Sequence, residues 1–168
     1  ASQAACSYSA TPLGGTRPSA SDFRLLVNAA LLTGCRYGEL LCLHVADFNR
    51  DTGTLLIRRS KSGKPRHVIL TQEGAAFFEQ TCAGRTGDDV MLLKTDGSAW
   101  GTSHQARPML EACRQAHISP ALNFHQLRHT YASHMVMDGV PLIVVARNLG
   151  HSDTRMVERH YGHLSNDC

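Results

Sequence analysis

Apolar residues return every three or four positions along most of this 168-residue chain, and one block near the middle breaks that rhythm. Phe23, Leu26, Val27, Ala30 and Leu31 share one helical face, and comparable patterns run through 72–82, 124–137 and the segment ending at Leu149. Between the first two lie the β-prone runs 54–59 and 66–70, joined by Ser60-Lys61-Ser62-Gly63-Lys64-Pro65, which is turn chemistry. A chain that is helical on both sides of one hairpin must pack its helices around a small sheet. The expected class is therefore mainly α with a small antiparallel β-sheet, an α+β fold.

Local signals set the boundaries. Ser19 followed by Asp22 resembles a helix-capping pair, so ordered structure is expected from about residue 20. Gly34 stops this helix, and a short second one is expected to carry Glu39, Leu40, Leu41 and Leu43. Residues 45–48 read as a short strand, 49–53 as a turn, 84–89 as a loop and 90–93 as a buried run. A helix is expected over 102–117, with Pro108 either kinking it or marking a late start. Gly139 ends the helix over 124–137, Pro141 suits the first turn of the next, 150–152 is a turn, and 154–161 is a last short helix. Residues 1–19, rich in Ala, Ser, Thr, Gly and Pro, read as a flexible leader, which leaves 20–168 as one domain. The absence of an initial Met suggests a fragment or a trimmed chain.

A net charge of +3 permits nucleic-acid binding without arguing for it. Local charge says more: Arg58, Arg59, Lys61, Lys64 and Arg66 fall between Thr54 and Leu70 with no acidic residue among them. Such a cluster is either a solvated hairpin or an electrostatic footprint on a polyanion. The six cysteines contain no C-x-x-C pair, and no signal peptide precedes them. They read as reduced thiols of a cytoplasmic protein, mostly buried, with Cys168 exposed. No apolar run approaches the ~20 residues of a membrane helix. His160-x-x-His163 and His125 with His129 invite a metal reading, but no cysteine pair has zinc-finger spacing, so no metal ligand is assigned.

Arg36, His125, Arg128, His151 and Tyr161 each have an ordinary structural reading when taken singly. Their order changes this. Leu32-Thr-Gly-Cys-Arg-Tyr-Gly-Glu-Leu-Leu-Cys-Leu43 comes first, then His125-Gln-Leu-Arg-His-Thr-Tyr-Ala-Ser-His134, then Leu149-Gly-His-Ser-Asp-Thr-Arg-Met-Val-Glu-Arg-His-Tyr161. Joined with a hairpin lysine, this series resembles the tyrosine recombinases of the phage integrase family over roughly residues 20–163, with Tyr161 ten residues beyond His151. The resemblance implies the DNA breaking-rejoining catalytic-domain fold and site-specific strand exchange through a covalent 3′-phosphotyrosine, without cofactor, metal or ATP. A type IB topoisomerase-like or resolvase activity would use the same residues.

By that resemblance Arg36, Lys61, His125, Arg128, His151 and Tyr161 are the catalytic set, with Lys64 the rival of Lys61. Arg58, Arg59, Lys64 and Arg66 are expected DNA contacts, Glu39 a support for Arg36, and His129 and Thr130 structural. Tyr37 and Tyr131 are assigned to packing. The chemistry is consistent with these types. Two guanidiniums can grip non-bridging phosphate oxygens bidentately at any working pH. A phenol, with a pKa near ~10, needs a proton acceptor, for which His125 is the expected choice. A mobile lysine can protonate the leaving 5′-hydroxyl. The implied partner is double-stranded DNA, held by a homotetramer of the intact enzyme. The family's N-terminal DNA-clamping domain is not recognised in this chain, so the fragment is expected to be monomeric. Gly162 behind Tyr161 suggests a flexible setting, with the tyrosine standing away from the arginines.

Overall fold

The computed structural model describes residues 18–59 and 64–164. Helix α1 spans Ala20–Thr33. Ser19 accepts from the Asp22 amide and the Asp22 carboxylate accepts from the Ser19 amide, the expected capping box. Asp22 does a second job. Its other oxygen takes the Thr95 amide at 2.8 Å and the Thr95 hydroxyl, which pins the 94–98 turn to the start of α1.

Gly34 ends α1 at φ +64°, and the single-turn helix α2, Tyr37–Leu40, follows. The expected strand over 45–48 is instead a 3-10 turn, Val45–Asp47, and only Phe48–Asn49 is extended, as β1. The buried Asp47 carboxylate accepts the His44 amide at 2.9 Å and bends the chain there. β2, Thr54–Ile57, pairs antiparallel with β1 and with β3, Arg66–Ile69, in the order β1-β2-β3. The hairpin is as expected, and its tip lies outside the described residues.

Helix α3, Gln72–Cys82, and helix α5, Phe124–Met137, have the expected bounds. Helix α4 is shorter than expected, Ala106–Gln115. Pro108 stands in its first turn, where a missing amide hydrogen costs nothing, and so marks a late start rather than a kink. Pro141 and Gly150 bracket α6, Leu142–Leu149, and α7 is Arg155–Tyr161.

Two apolar clusters form the interior. The larger joins α1, the sheet, α3 and α4 through Leu26, Leu55, Val68, Phe78 and Met109. The smaller joins the C-terminal helices through Tyr131, Val136, Val145, Leu149, Val157 and Tyr161. Helix α5 belongs to both: Phe124 and Leu127 enter the first, and Tyr131, Ala132 and Met135 the second. Cys35 and Cys113 are buried, and Cys42 and Cys82 half-buried, while Cys6 and Cys168 lie outside the described residues. No helix among the described residues is long and apolar enough to cross a membrane.

Candidate active site

The site forms where the α1–α2 turn, α5 and the α6–α7 turn meet. Arg36 caps α2. Its amide donates to Glu39 at 2.8 Å and its guanidinium at 3.0 Å, so α2 begins with its arginine already fixed. Arg66 reaches the same carboxylate from β3, donating to both oxygens at 2.9 and 2.8 Å, and gives its Nε–H to the Asn148 carbonyl at 2.9 Å. Burial alone would raise the pKa of Glu39, yet the bonds and charge of Arg66, then of Arg36, hold it below the usual carboxylate value.

Arg128 completes the group. It is buried on α5 and donates to the Gly34 carbonyl at 2.8 Å and to the Leu149 carbonyl. One side chain thus ties the turn bearing Arg36 to the turn bearing His151, and among the described residues three of its five N–H donors remain for other acceptors. Burial, then the charge of Arg36, push its pKa down to about 10, so it stays a cation at neutral pH.

His151 is placed by backbone geometry. Gly150 adopts φ +78°, and the amide of His151 folds back to the Ala146 carbonyl at 2.9 Å, closing α6 in a Schellman turn. A side chain at Gly150 would be strained in that conformation and would meet Arg66 atoms at 3.2 Å. His151 and His125 both have lowered pKa values, first through burial. For His151 the charges of Arg128, Arg36 and Arg66 add to this; for His125 those of His129, Arg128 and Arg36 do. Both are therefore neutral at pH 7 and within reach of the arginines' field.

Tyr161 closes α7 with its ring in the smaller cluster and its residue only 9% exposed. Its hydroxyl bonds Nδ1 of His129, while Arg36 and Arg128 bond Glu39, Gly34 and Leu149. Burial raises the phenol's pKa, and the charge of Arg128 opposes this. Gly162, expected to loosen the turn, is helical at φ −56°, and the chain runs on into a 3-10 turn. The other two described tyrosines are engaged elsewhere. Tyr37 donates to the Gly101 carbonyl at 2.7 Å, and Tyr131 accepts from Asn148 at 2.7 Å.

The remaining expected residues divide. Lys61 lies outside the described residues. Arg58, just past the tip-side end of β2, pairs with the buried Asp47, and Arg59 and Lys64 are exposed beside the tip. Arg66, expected as a DNA contact, is turned inward with its side chain 10% exposed. Period-two alternation carries the signal, because Arg66 shares a strand face with the fully buried Val68. Two participants were missed. Asn148 pairs through its amide with both backbone groups of Ile69 at 3.0 Å, docking β3 on α6. His129, assigned to structure, holds the tyrosine hydroxyl; its place one turn after His125 on α5 was the available sign.

The fold is that of a tyrosine recombinase catalytic domain. The catalytic domain of bacteriophage HP1 integrase is 27% identical with a TM-score of 0.60, over 84% of this chain and 74% of that one. XerH site-specific recombinase bound to difH substrate, a pre-cleavage complex, is 26% identical with a TM-score of 0.65, over 84% of this chain and 42% of that one. The phage integrase family matches residues 7–167, and the chain belongs to that family. Tyrosine recombinase XerA of Pyrococcus furiosus is 29% identical over 148 residues, which is 82% of this chain and 51% of that protein. The chain thus spans about half the length of the curated relatives it matches.

Proposed function

We propose that this chain is the catalytic domain of a site-specific DNA recombinase or integrase, and that Tyr161 attacks a DNA phosphate to form a 3′-phosphotyrosine. One observation carries the reading: three arginines, Arg36, Arg66 and Arg128, gather around a single buried carboxylate, Glu39, and the charge of Arg128 acts on the buried Tyr161. The cationic surplus suits an anion, and a phosphodiester in attack gains charge on its non-bridging oxygens.

In this reading Arg36 and the unspent donors of Arg128 hold those oxygens. His151 and His125 line the phosphate, and Arg66 acts through Glu39 by fixing Arg36. Lys61, with Lys64 as its rival, protonates the leaving 5′-hydroxyl. Arg58, Arg59 and Lys64 meet the duplex backbone. The phosphotyrosine keeps the ester's energy, so a 5′-hydroxyl of a partner strand reverses the step without ATP. The intact protein is assigned a homotetramer on two duplexes, in the cytoplasm where chromosomal DNA lies.

The test is a pool of duplexes with a randomised core, each nicked so that the released 5′ fragment diffuses away. The chain should form an adduct that survives denaturation, and Tyr161→Phe should form none. An adduct with Tyr161→Phe, or none with the wild type, overturns the reading. Arg36→Ala and Arg128→Ala should each slow adduct formation on the order of 100-fold or more.

A further inference from the structure

We propose that His129 is the general base that receives the proton of Tyr161, an inference that rests on the reading of Tyr161 as nucleophile. The hydroxyl of Tyr161 has its hydrogen bond to Nδ1 of His129, across 32 residues of chain. Both partners are fixed from behind. Tyr161 is anchored in the smaller cluster, and His129 follows the buried Arg128 on α5, whose two carbonyl bonds hold that turn of helix. The rings of His129 and Tyr161 lie 6.0 Å apart, tilted by 46°.

His125 is the other histidine on this face, and the two rings meet edge to face at 5.3 Å. The bond to the phenol belongs to His129, whereas His125 stands in the field of Arg128 and Arg36, on the side assigned to phosphate. A division of labour follows. His125 donates to the phosphate, and His129 takes the phenolic proton.

The step balances. The Tyr161 oxygen bonds phosphorus as the bond from phosphorus to the 5′ oxygen breaks. The phenolic proton passes to Nδ1 of His129 in its Nε2–H tautomer, leaving an imidazolium. The 5′ oxygen takes its proton from the hairpin lysine. The exposed edge of His129 then returns its proton to water. A buried phenol needs such a partner more than a free one, because burial disfavours the phenolate.

The experiment uses a duplex recovered from the randomised pool, with the chain as it stands. His129→Ala should remain folded, with a melting temperature lowered at most modestly by the lost bond, and slow Tyr161-dependent adduct formation by about 100-fold or more, the usual scale of general-base catalysis. Added imidazole should restore part of the rate, and a series of substituted imidazoles should rescue in order of their basicity. His129→Gln, which preserves polarity without a basic nitrogen, should be slow and equally open to rescue. Rates within threefold of wild type overturn the proposal, as does a slow variant that no imidazole repairs. A variant faster than wild type also overturns it and makes the bond a restraint on Tyr161. If Tyr161→Phe still traps DNA, the reading of the nucleophile fails, and that result is separate from any with His129.

Discussion

At the scale of single residues, Glu39 is the member of this site most exposed to its own loss. Among the described residues it carries the only negative charge bonded to Arg36 and Arg66, and Arg66 has little solvent to turn to, with its side chain 10% exposed. A buried ion pair adds little over apolar packing, but removing one partner strands the other, at about 3–5 kcal/mol. Glu39→Ala should therefore lower the denaturant midpoint by a corresponding amount. Glu39→Gln should fall between, because its amide turns a donor toward a guanidinium that only donates. Adding Arg66→Met to Glu39→Ala should recover part of the loss, though not the bond from Arg66 to the Asn148 carbonyl. Equal stability of wild type and Glu39→Ala in urea unfolding would contradict this account.

At the scale of elements, two glycines have opposite roles. Gly34 joins α1, α5 and α6. It adopts φ +64°, its carbonyl receives Arg128, and a Cβ there would lie 2.3 Å from the Tyr131 ring. Gly34→Ala thus meets the left-handed penalty of ~1–2 kcal/mol and must also displace a buried ring bonded to Asn148. The expected cost is well above the conformational penalty alone. Gly162 is helical, and a Cβ there would meet nothing within 4 Å. Gly162→Ala should stabilise by about 0.4–1 kcal/mol through the unfolded chain. Thermal melts of the two variants check both signs. A destabilised Gly162→Ala would mean that Tyr161 needs a looser turn than the structure gives it.

At the scale of the whole molecule, what was legible in the sequence was local. The bounds of α3 and α5 followed from apolar period and caps, and the hairpin from turn chemistry. The order of Arg36, His125, Arg128, His151 and Tyr161 was legible only through a family resemblance, since each alone has an ordinary reading. The bonds that assemble the site were not legible. Arg66 to Asn148 spans 82 residues, Asn148 to Ile69 spans 79, and His129 to Tyr161 spans 32, distances at which no periodicity speaks. These bonds crowd positive charge, and this shapes stability across pH. His125 and His151 have folded-state pKa values below the ordinary 6.5, so as pH falls through that value the unfolded chain takes up protons that the folded one refuses. Stability rises with pH wherever the unfolded state binds more protons. It should therefore drop from pH 7 to pH 5, beginning near 6.5 and levelling only below the folded values. Burial is the first cause at both positions; the charges of His129, Arg128 and Arg36 add to it at His125, and those of Arg128, Arg36 and Arg66 at His151, where Asp153 opposes them. A His125→Gln/His151→Gln double variant should show a shallower fall in melting temperature over the same interval, because neither position can then take up a proton. Parallel curves for wild type and double variant would mean that neither burial nor the arginines' charge disfavours protonation of these imidazoles in the folded chain.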